Sequence, residues 1–221
     1  MKLLLNACAK YLLGLVMICL LLFLPAGTLN YPNGWLFLAL LFLPMLLLGA
    51  VLFLKAPGLL KKRLSTKEKQ QEQKRVVALS GLIFLAGFLL CGLDFRFGWS
   101  HLPVGIVTAA SVLFLLSYGL YAEVMRENAY LSRTVEVQEG QKVIDTGLYG
   151  VIRHPMYTAT LGMFLTMPLI LGSFYGFLCF LFYPILIVRR IANEEQVLER
   201  ELEGYADYKT RVTYRLIPFL W

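Results

Sequence analysis

The chain contains few residues that could bind a metal ion or form a disulfide framework. It has two His and four Cys among 221 residues, and these are not grouped with carboxylates at the spacing of metal ligands. The four Cys lie in apolar segments without close pairing. The sequence also lacks the GxGxxG and GxxxxGK[ST] motifs that bind dinucleotides and phosphates. We therefore expect neither a metal site nor a disulfide framework, and any cofactor must bind in another way.

Charged residues are also scarce, because they make up 16% of the chain whereas hydrophobic residues make up 58%. Uncharged windows of 20, 18 and 21 residues occupy positions 35–54, 76–93 and 102–122. Each is close to the length of about 20 residues that a helix needs to cross a hydrocarbon core of about 30 Å. The sequence predicts an all-α integral membrane protein.

The first apolar segment, residues 3–24, is interrupted by Asn6 and Lys10. A cleaved signal peptide is therefore an alternative to a retained transmembrane helix. We favour the retained helix, because no cleavage pattern of small residues follows the segment and the long side chain of Lys10 can reach the membrane interface.

A further uncharged run, residues 156–188, has 33 residues and would measure about 50 Å as one helix. Because this exceeds one crossing, we expect a helical hairpin that turns at Gly172 and Ser173. Each arm would be short and would contain a proline, Pro168 or Pro184, so two full crossings and a partial re-entrant hairpin are both open. The sequence thus predicts five to six transmembrane segments.

The distribution of positive charge predicts the orientation, since loops rich in Lys and Arg stay in the cytoplasm. If the N-terminus is cytoplasmic, Arg96 is the only one of the 21 basic residues to fall on the other side. We therefore expect both termini in the cytoplasm. The net charge of +7 is explained by this asymmetry and by contacts with membrane lipids, so we expect no nucleic-acid partner.

Polar residues are concentrated on both sides of the predicted hairpin, which should bring them together at the cytoplasmic face. Before it, Arg153 and His154 precede Pro155, a residue suited to the first turn of a helix. After it, Arg190 and Glu194 are spaced to share one helix face. An interfacial anchor and a solvated acidic face would explain the second group alone. The convergence of both signs of charge makes a binding site the better interpretation.

The order of the motifs in residues 123–221 is specific. The run comprises Gly147-x-Tyr149-x3-Arg153-His-Pro-x-Tyr157, an apolar hairpin, Arg190-x3-Glu194-Glu195, Tyr205-x2-Tyr208-x2-Arg211-Val212, and Pro218. It resembles the isoprenylcysteine carboxyl methyltransferase family, to which phospholipid methyltransferases are related. We therefore divide the chain into transmembrane helices at 1–122, with a basic cytoplasmic loop at 55–75, and a methyltransferase-like catalytic region at 123–221.

The resemblance implies an enzyme dependent on S-adenosylmethionine, whose cofactor pocket faces the cytoplasm and is closed by a C-terminal helix. It implies catalytic or substrate-side roles for Arg153, Arg190 and Glu194. It implies cofactor contacts at a larger set: Gln138, Gln141, Lys142, Val143, Ile144, Tyr149, His154, Pro155, Met156, Tyr157, Glu194 and Glu195. The chain departs from the family pattern at Gln141, where His is frequent, and at Thr158, where Gly is common.

Several functions remain open at this point. Carboxyl O-methylation of an isoprenylcysteine-like or other lipidic acid requires an Arg beside the acceptor. Phospholipid N-methylation requires a carboxylate base, which Glu194 or Glu195 would supply. Residues 212–221 also resemble the end of membrane sterol reductases, which use a nicotinamide cofactor. A scaffold or small transporter is disfavoured, because charges at mid-membrane are lacking. We expect a lipidic or prenylated methyl acceptor, and the oligomeric state stays open.

Overall fold

The computed structural model describes residues 2–64, 71–132, 134 and 137–221, with the exception of the side chain of residue 72. Residues 65–70 of the predicted basic loop therefore lie outside the described residues. Throughout the described ranges every regular element is a helix, as the fold class predicts. The α-helices are α1 Lys2–Ala26, α2 Pro32–Lys55, α3 Pro57–Leu64, α4 Gln71–Phe97, α5 Val104–Glu127, α6 Pro155–Ile170, α7 Phe174–Phe180, α8 Tyr183–Glu201 and α9 Tyr205–Arg211, and a 3-10 helix occupies Gly147–Gly150.

Among the described residues, five helical segments are long and apolar enough to cross a membrane. They are Lys2–Ala26, Pro32–Lys55, Gln73–Phe97, Val104–Glu127 and Phe174–Glu201. The shorter apolar helix Pro155–Ile170 lies between the last two. This confirms a multi-pass integral membrane protein with five to six transmembrane segments.

The predicted hairpin turns where the sequence places the break. Gly172 has a φ of +79°, a left-handed conformation that glycine adopts without steric cost. Ser173 then caps α7, because its Oγ accepts a hydrogen bond of 2.8 Å from the amide of Gly176. The second arm is interrupted once more between α7 and α8, where Pro184 occupies the first turn of α8.

Hydrogen bonds hold this turn to the neighbouring helices at one end of the bundle. The hydroxyl of Tyr31 donates to the carbonyl of Leu171 over 2.6 Å. The buried carboxylate of Asp94 accepts from the hydroxyls of Ser100, at 2.7 Å, and Ser173, at 2.5 Å. The hairpin is thereby fixed to α4 and to the segment that leads into α2.

The opposite end of the bundle, which we call the polar end, carries the segments at 56–64, 128–154 and 202–221. Close packing of α5 on α6 sets the position of α6 there. Gly162 of α6 faces Ser117 of α5 so closely that a Cβ at Gly162 would lie 2.2 Å from the Ser117 hydroxyl. A buried core of large aromatic residues fills the bundle further in, with Phe37, Phe88 and Phe180 among its members.

Candidate active site

The start of α6 is joined to α8 and to the final segment through Arg153. This side chain is buried, and its Nε donates to Glu195 Oε1 over 2.8 Å. Its Nη1 donates to the carbonyl oxygens of Val212, at 2.6 Å, and Thr213, at 2.8 Å. Three hydrogen-bond donors of Arg153 are thus committed to contacts within the protein.

Glu195 is the centre of a buried ionic network at the polar end. It is 3% exposed, and besides Arg153 it accepts a hydrogen bond of 3.1 Å from Arg215. His154 Nε2 lies 3.2 Å from Glu195 Oε1, and Lys209 Nζ lies 3.9 Å from Oε2. Because a buried carboxylate is costly without partners, these contacts are what make its burial tolerable.

The neighbouring acid, Glu194, belongs to a different cluster. The hydroxyl of Tyr157 donates to Glu194 Oε2 over 2.5 Å, and Arg190 Nε donates to the oxygen of the same hydroxyl over 2.8 Å. Arg190 and Glu194 thus share one helix face, as their spacing predicts, and the phenol of Tyr157 bridges them. A cation and a carboxylate are held beside each other at the point where α6 and α8 meet.

These clusters border a continuous cavity of about 1000 Å³. This volume is at the upper limit of ordinary ligand pockets, which span about 300–1,000 Å³. At the polar end the walls carry charged and hydroxyl groups, including Arg63, Tyr121 and Arg190. Deeper in the bundle the walls are mainly apolar, with Leu21, Met45, Phe84 and Met167 among the lining residues. The cavity therefore has a polar part and an apolar part in direct continuity.

Most of the predicted site residues line this cavity. They are Gln141, Lys142, Val143, Ile144, Tyr149, Arg153, His154, Met156, Tyr157, Arg190 and Glu194. Three others lie beside it. The side-chain amide of Gln138 donates to the carbonyl of Tyr130 over 2.5 Å, Pro155 is buried in the first turn of α6, and Glu195 lies in the ionic network.

Two tyrosines of α9 also line the cavity, although the sequence reasoning named them only as part of a motif. The hydroxyl of Tyr208 donates to the carbonyl of Tyr149 over 2.7 Å. The hydroxyl of Tyr205, a residue that is 4% exposed, has no hydrogen-bond partner among the described residues. Burial raises the pKa of both phenols above the ordinary value, so both remain protonated at neutral pH. Tyr205 therefore presents an unused donor and acceptor.

Arg63, at the end of α3, is a cavity residue that no motif indicates. Its guanidinium donates to the hydroxyl of Tyr121 and, over 3.3 Å, to the carbonyl of Ser132. It adds to the polar part a further cationic side chain, contributed by the first half of the chain. Spacing within one segment gives no signal for such a contact, because α3 and α5 are distant in sequence.

In the ranges that the structure describes, no group of three or more His, Cys, Asp or Glu residues is placed to hold a metal ion. The four cysteines are free thiols.

Comparisons with known proteins add independent information. The family model described as phospholipid methyltransferase matches residues 106–203, a range that contains Arg153, Arg190 and Glu194. A solved structure of the eukaryotic intramembrane Ras methyltransferase, isoprenylcysteine carboxyl methyltransferase, has a similar fold with a TM-score of 0.58. The similarity covers 97% of this chain and 77% of that chain at 20% sequence identity.

A curated relative gives a more limited match. The Delta(14)-sterol reductase of Mus musculus is 31% identical over 91 residues, which are 40% of this chain. The match spans 22% of the reductase, so this chain matches about a fifth of the length of that relative.

The fold and the apolar helices define a multi-pass integral membrane protein, and part of the chain, residues 106–203, matches the phospholipid methyltransferase family model. More particularly, the comparisons confirm the predicted resemblance to the isoprenylcysteine carboxyl methyltransferase family and its phospholipid methyltransferase relatives.

Proposed function

We propose that this protein uses S-adenosylmethionine to methylate the carboxylate of an isoprenylcysteine-like or other lipidic acid at the cytoplasmic face of a membrane. The observation that carries this proposal is the continuous cavity whose polar part meets its apolar part beside Arg190, Tyr157 and Glu194. A molecule with a small anionic group and a long apolar chain has the shape and polarity of that cavity.

The polar part offers groups that are suited to the charged and polar parts of the cofactor. When bound, S-adenosylmethionine supplies an electrophilic methyl group on a sulfonium. The Glu194 carboxylate is suited to balance its positive charge, and the unpartnered Tyr205 hydroxyl is suited to a polar group of the ligand. We assign the remaining cofactor contacts to the lining residues at 141–144 and to Tyr149, His154, Met156 and Tyr157. Gln138 and Pro155 lie beside the cavity and would hold these residues in position.

Arg190 is the residue we assign to the acceptor carboxylate. Arg153 is less suited to this role, because its Nε and Nη1 are already bonded to Glu195 and to two carbonyls. The planar guanidinium of Arg190 would hold the carboxylate from the side and leave one oxygen lone pair directed at the methyl group. Tyr157, bonded to both Arg190 and Glu194, would fix the relative positions of the two sites.

Phospholipid N-methylation is the second candidate, and the family match favours it. Glu194 is the base that such a reaction would use. The position of Arg190 beside Glu194 favours the carboxylate instead, because a guanidinium repels the ammonium group of an amine acceptor. The product formed from S-adenosylmethionine labelled in the methyl group distinguishes the two reactions.

The test is to incubate membranes containing the protein with S-adenosylmethionine labelled in the methyl group and to analyse the lipid extract by mass spectrometry. We expect a labelled lipidic product that mild base hydrolyses to labelled methanol, as a methyl ester does. A labelled product that resists base and carries the methyl on nitrogen would contradict O-methylation and support the second candidate.

Replacing Tyr205 with phenylalanine is expected to weaken cofactor binding without destabilising the protein. The hydroxyl has no partner to lose among the described residues, so we expect the free energy of unfolding to be unchanged or higher by up to about 1 kcal/mol. The affinity for S-adenosylhomocysteine should fall about 3- to 10-fold, the value of one hydrogen bond. Thermal unfolding and titration calorimetry in detergent measure the two quantities.

Tyr208→Phe is the matched control. It removes the hydrogen bond to the carbonyl of Tyr149 and should therefore destabilise the protein by about 1–3 kcal/mol. If Tyr205→Phe destabilises the protein to the same extent and leaves the affinity unchanged, Tyr205 has no role in the cofactor site.

Replacing Gly81 with leucine is expected to shorten the acceptor chain that the protein accepts. Gly81 lines the apolar part of the cavity, and a Cβ built on it meets no atom within 4 Å. A leucine would therefore occupy cavity space without displacing a neighbour. With S-prenylcysteine acids of increasing chain length as probes, we expect KM to rise about 10-fold or more for long chains and little for short ones.

Gly119→Leu controls for the change in helix composition. Gly119 is exposed, meets no atom within 4 Å and lies outside the cavity wall, so its substitution should leave the dependence on chain length unaltered. Equal effects of the two substitutions would mean that the apolar part of the cavity does not hold the acceptor chain.

A further inference from the structure

Helix α6 is too short to span the hydrocarbon core by itself. Its 16 residues measure about 24 Å, whereas the core is about 30 Å thick. The far end of α6 is tied by the turn at Leu171–Ser173 to Tyr31 and to the Asp94–Ser100 segment. Because these bonds fix the far end, we place the shortfall at the other end, where Pro155 begins the helix. On this placement the first turn of α6 would lie within the depth of the hydrocarbon core.

The segment at 212–221, which we call the tail segment, lies alongside this first turn. The amides of Arg153 and His154 donate to the carbonyls of Tyr214 and Arg215, both over 2.9 Å. One turn further into α6, the hydroxyl of Thr158 donates to the carbonyl of Leu216 over 2.7 Å. The side chain of Leu216 is buried in a cluster with residues of α8. The tail segment thus runs from the ionic network toward the membrane interior.

The next residues of the tail segment present large apolar side chains to the outside. Ile217 is 48%, Leu220 is 75% and Phe219 is 89% exposed. Phe219 has a φ of +66°, a conformation that is uncommon for bulky residues and directs this side chain outward from a tight loop. Such a display of apolar surface is unfavourable in water and favourable in lipid.

Part of the backbone of this loop is hydrogen-bonded internally. The amides of residues 215, 216 and 217 donate to the carbonyl of Trp221 over 3.0, 2.9 and 3.1 Å, and the amides of residues 220 and 221 donate to the carbonyl of Ile217. Backbone that enters the hydrocarbon region must satisfy its polar groups within the protein, since lipid offers no partners. These bonds satisfy the amides of residues 215–217, 220 and 221, whereas the amide of Phe219 and the carbonyls of residues 218–220 have no partner among the described residues. We therefore place this part of the loop near the membrane interface, where water and lipid head groups can bond to it.

We propose that the tail segment is a membrane-inserted anchor, in which Ile217, Phe219 and Leu220 contact the lipid acyl chains beside the short end of α6. Trp221, at the edge of this surface, has the preference of tryptophan for the interface. Arg215 lies 5.1 Å from the Trp221 ring and bonds to Glu195, so it marks the boundary between lipid and protein. The anchor would hold the ionic network of Arg153, His154 and Glu195 against the membrane.

The fluorescence of Trp221 tests this proposal without reference to any enzymatic activity. The chain has three tryptophans, and Trp35 and Trp99 lie in half-exposed positions at the opposite end of the bundle. The full chain carrying Trp35→Phe and Trp99→Phe is reconstituted into phosphatidylcholine vesicles with or without bromine on the upper part of the acyl chains. We expect bromine to reduce the Trp221 emission at least about twofold, because tryptophan of an anchor lies near the interface.

Two further variants test which side chains place Trp221 near the acyl chains. Phe219→Ser with Leu220→Ser should remove most of the quenching by bromine and increase quenching by aqueous acrylamide. Leu29→Ser, which removes a similarly exposed apolar side chain at the opposite end, should change neither. If the double tryptophan variant does not fold, the difference in emission between the natural chain and Trp221→Phe gives the same information.

Two results would overturn the proposal. Quenching of Trp221 by acrylamide and not by bromine would place the tail segment in water. Protection from both quenchers would mean that the apolar surface is covered by another protein molecule, such as a second copy of this chain.

Discussion

Replacing Arg190 with alanine is expected to lower methyl transfer at least about 100-fold, the usual cost of losing alignment between reacting groups. The affinity for S-adenosylhomocysteine should change less than about threefold, because Glu194 and Tyr205 remain to hold the cofactor. Initial rates with labelled cofactor, together with titration calorimetry on the same preparation, measure both effects. The rate of methyl transfer and the affinity for S-adenosylhomocysteine together show whether Arg190 contacts the methyl acceptor or the cofactor.

Arg189→Ala is the matched control, since Arg189 is the exposed neighbour of Arg190 on the same helix. It removes the same charge at nearly the same depth and should leave both quantities unaltered. A parallel loss of rate and of cofactor affinity in Arg190→Ala would contradict our assignment and place Arg190 in the cofactor pocket.

Replacing Glu195 with glutamine is expected to lower the free energy of unfolding by about 3–5 kcal/mol, the cost of breaking a buried ion pair on one side. The substitution keeps the shape of the side chain but leaves Arg153 and Arg215 without their shared carboxylate. In thermal unfolding of the detergent-solubilised protein, the midpoint should fall by about 10 °C. This effect would show that Glu195 positions the site through the network and is not mainly a cofactor contact.

Glu199→Gln provides the comparison, because Glu199 lies one turn further along α8, is largely exposed and pairs with Lys209. Exposed pairs are worth about 0–1 kcal/mol, so its midpoint should hardly move. If Glu195→Gln is as stable as Glu199→Gln and instead loses cofactor affinity, the carboxylate of Glu195 acts on the ligand.

The membrane architecture was predictable because the bilayer imposes simple rules of length and polarity. The uncharged windows at 35–54 and 76–93 lie within α2 and α4, and all but the first two residues of the window at 102–122 lie within α5. The long run at 156–188 could be read as a hairpin because its length excluded a single crossing. The break at Gly172 followed from the one position in that run where Gly and Ser are adjacent, and the structure has its turn there.

The hairpin predicted that the two polar stretches converge. It did not predict which of their residues border the cavity and which are buried in the ionic network. Glu194 and Glu195 are adjacent in sequence and point in directions about 100° apart on a helix. One borders the cavity with Tyr157, and the other is buried with Arg153. Sequence assigned both to the cofactor, because it does not reveal which face of α8 meets α6.

Contacts between segments that are distant in sequence could not be predicted either. The carbonyls of Val212 and Thr213 accept hydrogen bonds from Arg153. Such contacts with backbone groups cannot be read from the pattern of side chains. Arg63 reaches the cavity from α3, and the unpartnered state of Tyr205 depends on its complete surroundings. These features need coordinates, and they are the ones that distinguish positioning residues from residues that contact ligands.

The sterol reductase similarity makes the choice of cofactor the decisive question. Titration calorimetry of the purified protein with S-adenosylhomocysteine and, separately, with a reduced nicotinamide dinucleotide tests it most directly. Our account predicts binding of S-adenosylhomocysteine with an affinity on the order of micromolar, about −8 kcal/mol, that is weakened by Glu194→Gln and by His154→Ala, and no heat with the nicotinamide. Binding of the nicotinamide without binding of S-adenosylhomocysteine would contradict it.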